Sequence, residues 1–128
     1  MTRGLADTSV FIARESGRPL DATLAPATLA ISVVTLAELR AGVLGAADLA
    51  TRARRLATLE SVLSLDAVPI DAAVAEAWAD LRVRLREAGR RMKANDAWIA
   101  ATAIALDVPV VTQDADFDGV PSLHVIRV

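Results

Sequence analysis

Short apolar segments rich in β-branched residues alternate with longer segments of helical periodicity throughout the 128-residue chain. The alternation predicts parallel strands covered by helices on both faces. We therefore predict a single α/β domain over residues 1–128, a three-layer sandwich with a mainly parallel central sheet of about five strands flanked by helices. The predicted strands cover residues 4–6, 28–34, 66–70, 108–112 and 123–128, and the main helices cover 35–45, 48–63, 71–88 and 95–106.

Local signals make specific predictions for three of these helices. Thr35 is expected to cap the helix at 35–45, with Glu38 completing a capping box. The helix at 95–106, which starts at Asn95 or Asp96, is apolar on nearly every face and is therefore expected to be buried. The helix at 48–63 carries an apolar stripe that core packing explains most simply, made of Leu49, Ala53, Leu56, Leu59 and Leu63.

The side chains available for catalysis are mostly carboxylates. The chain has no cysteine and a single histidine, His124, which excludes disulfides, thiol catalysis and zinc sites built from Cys and His. Sixteen acidic residues outweigh fourteen basic ones, giving a net charge of −2. The protein therefore has no polybasic coat, and any phosphate-binding site must be local.

Hydropathy is high, with 54% hydrophobic residues, but it does not predict a membrane protein. The longest uncharged stretch, residues 22–37, is shorter than the roughly 20 apolar residues that a spanning helix needs. Asp7 and Arg14 interrupt the apolar run near the N-terminus, which is therefore not typical of a signal peptide. We expect a soluble, cytoplasmic protein with no membrane partner.

Acidic residues follow the predicted strands at their carboxyl ends, where ligands bind in sheets of this kind. Asp7 ends the first strand, Glu38 lies shortly after the second, and Asp114 lies two residues beyond the fourth. Asp96 opens the helix before the fourth strand, so helix packing must bring it to the same edge. Each acid also has a simpler interpretation, because acids at helix starts are usually caps and those near Asp116 could be solvated turn residues.

Convergence of these acids would require a cation. Carboxylates a few ångströms apart raise one another's pKa values or bind a positive ion. Oxygen ligands without His or Cys select Mg²⁺ or Mn²⁺, and one or two such ions can activate water and stabilise a phosphoryl oxygen. The carboxylates therefore indicate metal-dependent phosphodiester hydrolysis.

Four segments resemble the motifs of the PIN-domain nucleases, in the same order and with similar spacing over essentially the whole chain. They are Asp-Thr-Ser-Val at 7–10, Thr-Leu-Ala-Glu-Leu at 35–39, Asn-Asp-Ala-Trp-Ile-Ala-Ala at 95–101 and Thr-Gln-Asp-Ala-Asp-Phe at 112–117. At this length the chain is similar to the VapC family, the toxins of type II toxin–antitoxin pairs.

The resemblance implies a Mg²⁺- or Mn²⁺-dependent endoribonuclease that is inhibited by a cognate VapB-type antitoxin and commonly forms a homodimer. It makes Asp7, Glu38 and Asp96 the core catalytic and metal-binding acids. The fourth motif varies within the family, so Asp114 is the expected fourth acid and Asp116 a substitute or supporting acid. Thr8 and Thr112 are expected to be supporting hydroxyls.

Basic residues precede Asp96 closely, and they have two interpretations. They could form a track that delivers the RNA backbone to the metal site, or simply a solvated helix face and loop. Both tryptophans lie on apolar helical stripes, so base stacking is not evident. The basic residues are Arg82, Arg84, Arg86, Arg90, Arg91 and Lys93.

Two other functions stay open from the sequence: a PIN-type nuclease in RNA processing, and a non-catalytic module that binds RNA or protein. The helices at 35–45 and 48–63 carry many small apolar residues. Core packing explains most of these, and a groove for an antitoxin segment is the alternative.

Overall fold

The computed structural model describes residues 2–128. Five strands form a single sheet: β1 (Arg3–Ala6), β2 (Thr28–Ser32), β3 (Asp66–Val68), β4 (Val110–Thr112) and β5 (Val125–Arg127). The α-helices are α1 (Thr8–Glu15), α2 (Val33–Leu44), α3 (Leu49–Val62), α4 (Ala72–Glu87) and α5 (Ala94–Leu106). Short 3₁₀ turns lie at Ala22–Leu24 and Ala115–Phe117.

The sheet is parallel throughout, with the strand order β3-β2-β1-β4-β5. The chain builds outward from β1 to β3 on one side and then returns to place β4 on the other side of β1. The strand order therefore reverses between β1 and β4, where Leu5 pairs with Val110 and Ala6 with Val111. A crevice at the carboxyl ends of these two strands is the expected position of a ligand site.

Alternate residues of the central strands bury on opposite faces of the sheet, as the period of two in a strand requires. Leu5 and Ala30 join the core formed with α4 and α5. Ala6 and Ile31 join a second core formed with α1, α2 and α3. Helices cover both faces, which confirms the predicted three-layer α/β sandwich.

The start of α2 differs from the sequence prediction. Ser32 ends β2 and caps α2, since its side chain accepts a hydrogen bond from the Val34 amide. Val33 and Val34 were expected in the strand because β-branched residues favour strands, but they form the first turn of the helix. The capping box of Thr35 and Glu38 is therefore wrong, because Thr35 lies within the helix and is fully buried.

The apolar stripe of α3 points mostly outward, contrary to the core-packing interpretation. Leu49, Leu56 and Leu63 are 81%, 37% and 60% exposed, whereas Leu59 and Val62 bury against the sheet. Leu44 at the end of α2 is also 72% exposed. We refer to these four exposed leucines, which lie on α2, on α3 and at the C-cap of α3, as the α3 leucine face. Across residues 2–128, the helices are all too short or too polar to cross a membrane.

Candidate functional site

Asp7 lies at the end of β1, beside the point where the strand order reverses. Its side chain is nearly inaccessible, with 4% of the residue exposed. The carboxylate caps α1 by accepting from the Ser9 amide (3.3 Å), and the same oxygen accepts from the Thr112 hydroxyl (2.9 Å). Since a buried charge is costly without partners, these hydrogen bonds fix both the position and the orientation of the carboxylate.

A chain of hydroxyls joins Asp7 to the loop that follows β4. Thr112 donates its only hydroxyl proton to Asp7, so the Ser9 hydroxyl, 3.1 Å away, donates to Thr112. The amide of Gln113 donates to Ser9 (3.0 Å), and that of Asp114 donates to Thr112 (2.8 Å). The first and fourth motifs are therefore held together by hydrogen bonds whose donors and acceptors are all accounted for.

Glu38 projects from α2 and is held by a second hydroxyl pair. Thr8 at the start of α1 donates to Glu38 Oε1 at 2.7 Å. The Thr8 hydroxyl also lies 3.0 Å from that of buried Thr35. The Thr8 hydroxyl therefore contacts both the Glu38 carboxylate and the Thr35 hydroxyl.

Three further carboxylates meet at the same site. One oxygen from each of Asp96, Asp114 and Asp116 lies within 4.8 Å of the other two. Asp114 also caps the 3₁₀ turn at Ala115–Phe117, accepting from the Asp116 amide at 2.9 Å. Asp96 lies in the first turn of α5, whose cap residue is Lys93, so the simpler interpretation of Asp96 as a cap is wrong.

The charges of the other four acids affect the pKa of the Asp96 carboxyl. Burial is the largest cause, and together with repulsion from Asp7, Asp114, Glu38 and Asp116 it raises the pKa of Asp96 to about 6. Repulsion of this kind requires each of the four acids to lie near Asp96. Asp96, Asp114 and Asp116 therefore form a tight cluster, and Asp7 and Glu38 lie near Asp96 but outside the 4.8 Å grouping.

The donor set fits a hard divalent cation. The clustered ligand atoms are all carboxylate oxygens, and an ion among them would relieve the repulsion that raises the pKa of Asp96. Oxygen-only sites of this type suit Mg²⁺ and Mn²⁺. Asp96, Asp114 and Asp116 could hold an ion directly, with Asp7 and Glu38 beside them.

A basic cleft of about 530 Å³ lies next to the acids. Ala97, which follows Asp96, is part of its wall. The other lining residues are Leu85, Gly89, Met92 and four arginines, Arg82, Arg86, Arg90 and Arg91. The cleft is therefore lined by four arginines together with apolar residues, and it adjoins the turn of α5 that carries Asp96.

The predicted basic track is not uniform. The guanidinium of Arg82 lies 5.0 Å from the ring centre of Trp78, which stacks on Trp98. Lys93 is outside the cleft lining, and its ammonium lies 3.9 Å from an Asp116 oxygen. Arg90 is half-buried and binds backbone carbonyls, whereas Arg86 and Arg91 are exposed.

Sequence reasoning missed two supporting residues, Ser9 and Thr35. Both carry hydroxyls inside the motif segments, and each lies one helical turn or less from an acid. Neither could be assigned from the sequence because the partners are remote in the chain: Ser9 meets Thr112 and Gln113, and Thr35 meets Thr8.

The protein therefore combines a parallel α/β sheet with a cluster of carboxylates near the point where the strand order reverses, and this donor set suits a divalent cation. A family model described as PIN domain matches residues 5–123, and the chain belongs to this family. The likeness extends to individual ribonucleases. The chain is 56% identical to ribonuclease VapC5 of Mycobacterium tuberculosis, over 98% of this chain and 95% of that protein. It is 46% identical to ribonuclease VapC4 of the same organism, over 98% and 97% respectively.

Solved structures agree with these matches. A chain of the VapBC-5 toxin–antitoxin system from Mycobacterium tuberculosis has a TM-score of 0.91 and 52% identity, with both chains covered in full. A chain of VapBC2 from Rickettsia felis, bound to a promoter DNA fragment, has a TM-score of 0.83 and 26% identity over 98% of each chain.

Proposed function

We propose that this protein is a divalent-metal-dependent endoribonuclease that acts as the toxin of a toxin–antitoxin pair. The observation that carries the catalytic part is the clustering of Asp96, Asp114 and Asp116 within 4.8 Å, beside Asp7 and Glu38. The ribonuclease names of VapC5 and VapC4, at 56% and 46% identity, support RNA as the substrate class.

The catalytic acids of the proposal are Asp7, Glu38, Asp96 and Asp114, with Asp116 as a further metal ligand. A divalent ion bound there would lower the pKa of a bound water and polarise a phosphoryl oxygen. Asp7 offers a carboxylate oriented by Thr112, and Glu38 one oriented by Thr8. With its pKa near 6, Asp96 is mostly ionised at pH 7.5 even without a cation.

The basic cleft is proposed to bind the RNA backbone. A chain with a net charge of −2 and five clustered acids would repel RNA unless local cations opposed that repulsion. Arg82, Arg86 and Arg91 present guanidinium groups in the cleft wall, from which phosphates can reach the acids. Lys93 would meet the backbone nearest to Asp116.

Cleavage of a labelled RNA with Mg²⁺ or Mn²⁺ tests the catalytic proposal. We expect cleavage by the wild-type protein, none in EDTA, and recovery when the ion is restored. Undiminished cleavage in EDTA would contradict metal dependence. Binding of RNA without cleavage under any metal condition would favour the non-catalytic alternative.

The α3 leucine face is proposed to bind the antitoxin. Leu49, Leu56 and Leu63 repeat every seven residues and therefore lie along the same side of α3, where an apolar segment of a partner could cover them. The VapBC complexes among the structural neighbours support a VapB-type partner. An arm of the antitoxin that reached the acids would also block catalysis.

Growth assays test the toxin role. Induction should arrest growth, and co-expression of a small protein encoded beside this chain should relieve the arrest. Leu56→Asp with Leu63→Asp should weaken relief, whereas Leu24→Asp, at a 53% exposed leucine in the 3₁₀ turn at Ala22–Leu24, should not. RNA cleavage in vitro without growth arrest would favour the role in RNA processing.

A homodimer is the remaining partner proposal and is supported only by the family resemblance. Light scattering at working concentration tests it directly, with a mass near twice 13.5 kDa expected. A monomeric mass would contradict it.

A further inference from the structure

Arg90 differs from the other arginines of the basic cleft in what its guanidinium binds. It donates from Nη2 to the carbonyl of Asp116 at 2.8 Å and from Nη1 to the carbonyl of Asp118. Both carbonyls belong to the loop after β4 that carries Asp114 and Asp116. The planar fork of arginine suits two acceptors at once, and a lysine ammonium does not reproduce that geometry.

The backbone of Arg90 is fixed from the other side by the end of α4. Gly89 has a φ of +66°, and its amide donates to the Arg86 carbonyl, while the Arg90 amide donates to Leu85. This is the double hydrogen bond of a Schellman cap, which requires a left-handed residue such as glycine. The Schellman cap therefore fixes the backbone position of Arg90, which lies three residues before Lys93, the cap residue of α5.

The arrangement connects the segments that carry the three clustered acids. Arg90 lies in the linker that leads directly into α5 and Asp96, and its guanidinium holds the loop of Asp114 and Asp116. Within residues 2–128, the ion pair that joins this linker to the clustered acids is the one between Lys93 and Asp116. The charge of Arg90 is thus directed at peptide carbonyls and not at a carboxylate.

We propose that Arg90 is a positioning residue for the metal centre: its bidentate contact with the Asp116 and Asp118 carbonyls holds Asp114 and Asp116 within reach of Asp96. The inference rests on the metal site of the proposed function. It gives Arg90 a different role from Arg86 and Arg91, whose guanidinium groups would bind the RNA backbone.

The sign of the change in metal affinity tests this role. Removing a positive charge near a cation site should strengthen cation binding by Coulomb's law. Removing a positioning group should weaken it, by about tenfold when the supporting groups of a metal site are removed. We expect Arg90→Met to lower Mn²⁺ affinity about tenfold, measured by calorimetry on the RNA-free protein.

Two variants sharpen the measurement. Arg90→Lys keeps the charge but loses the fork, so its Mn²⁺ affinity should stay well below that of the wild type. Arg84→Met removes an exposed arginine of α4 that pairs with Asp80, and it should leave Mn²⁺ affinity unchanged. Each variant is measured below its unfolding transition, which is determined separately by urea titration.

Mn²⁺ affinity that is unchanged or tighter in Arg90→Met would overturn the proposal, as would full recovery in Arg90→Lys or no Mn²⁺ binding by the wild type. The ribonuclease proposal fails differently. If the wild type binds Mn²⁺ and Arg90→Met loses that affinity but neither cleaves RNA, the positioning role stands and the ribonuclease activity does not.

Discussion

The acid cluster and the basic cleft are neighbours, but the fold holds them in different ways. Asp7 and Glu38 are fixed by hydroxyls of Thr112 and Thr8, and the strand ends determine where those residues lie. The arginines Arg86 and Arg91 come from the end of α4 and the following loop, and both are exposed to solvent. The acids are therefore held in a fixed geometry. The exposed side chains of Arg86 and Arg91 can instead adapt to the phosphates of a flexible RNA.

The largest expected effect falls on the rigid half of this comparison. Asp7→Asn keeps the size of the side chain but removes the charge that the site is built around, so cleavage should fall by about 10³-fold or more, about 4 kcal/mol. Rates of RNA cleavage in saturating Mg²⁺ measure the loss. Asp66→Asn makes the same change at an exposed ion pair with Arg3 and should leave the rate unchanged. A loss of less than tenfold in Asp7→Asn would contradict the assignment.

The acids of this half were predictable because their positions follow from the topology. The carboxyl ends of parallel strands meet at one edge of the sheet, so Asp7 and Asp114 were expected at the same edge once β1 and β4 were recognised. The strand order itself, which makes β1 and β4 neighbours, depends on pairing between remote segments. It is known only from the structure.

The predictions that failed depended on choices between chemically similar residues. Ser32 and Thr35 both suit a helix cap, and the structure begins α2 at Val33 with Ser32 as the cap. Periodicity identifies the stripe on α3 but carries no sign, so it does not tell whether Leu56 faces the core or the solvent. The role of Arg90 was hidden because its acceptors are backbone carbonyls, which every residue possesses.

A second test breaks the support of Asp7 instead of the acid. Thr112→Val leaves a buried Asp7 oxygen and the Asp114 amide short of a partner, so the free energy of unfolding should fall by about 2 kcal/mol. Mn²⁺ affinity should fall with it. Thr102→Val removes a buried hydroxyl that donates to the Trp98 carbonyl within α5, and it should not change Mn²⁺ affinity. Equal Mn²⁺ affinity in the two variants would mean that Thr112 only stabilises the fold.

A third test measures how much the repulsion among the clustered acids lowers the free energy of unfolding. The pKa of Asp96 is raised from 3.8 to about 6, so the folded protein binds more protons than the unfolded chain between these pH values. Stability of the metal-free protein should therefore fall as pH rises through this window. Asp96→Asn removes the cost and should stabilise the protein at pH 8 by about 1 kcal/mol, after allowance for solvent screening of a half-exposed carboxyl.

Urea unfolding in EDTA at pH 4 and pH 8 distinguishes this cost from a packing effect. Stabilisation by Asp96→Asn should be present at pH 8 and absent at pH 4, where the wild-type carboxyl is already protonated. The same gain at both pH values would show that repulsion is not its cause.

The smallest expected effects fall on the adaptable half. Arg86→Gln or Arg91→Gln should raise the KM for RNA by about threefold, with kcat nearly unchanged, because an arginine that meets a phosphate adds attraction without shaping the metal site. The salt dependence of binding should also become shallower, by about 0.7 in the slope of log K against log salt for each single-strand phosphate that the variant no longer neutralises. Arg84→Gln, at the exposed pair with Asp80, is the matched control. If Arg86→Gln lowered kcat as strongly as it raised KM, that arginine would belong to the rigid half of the site, and the division between fixed acids and adaptable arginines would have to be redrawn.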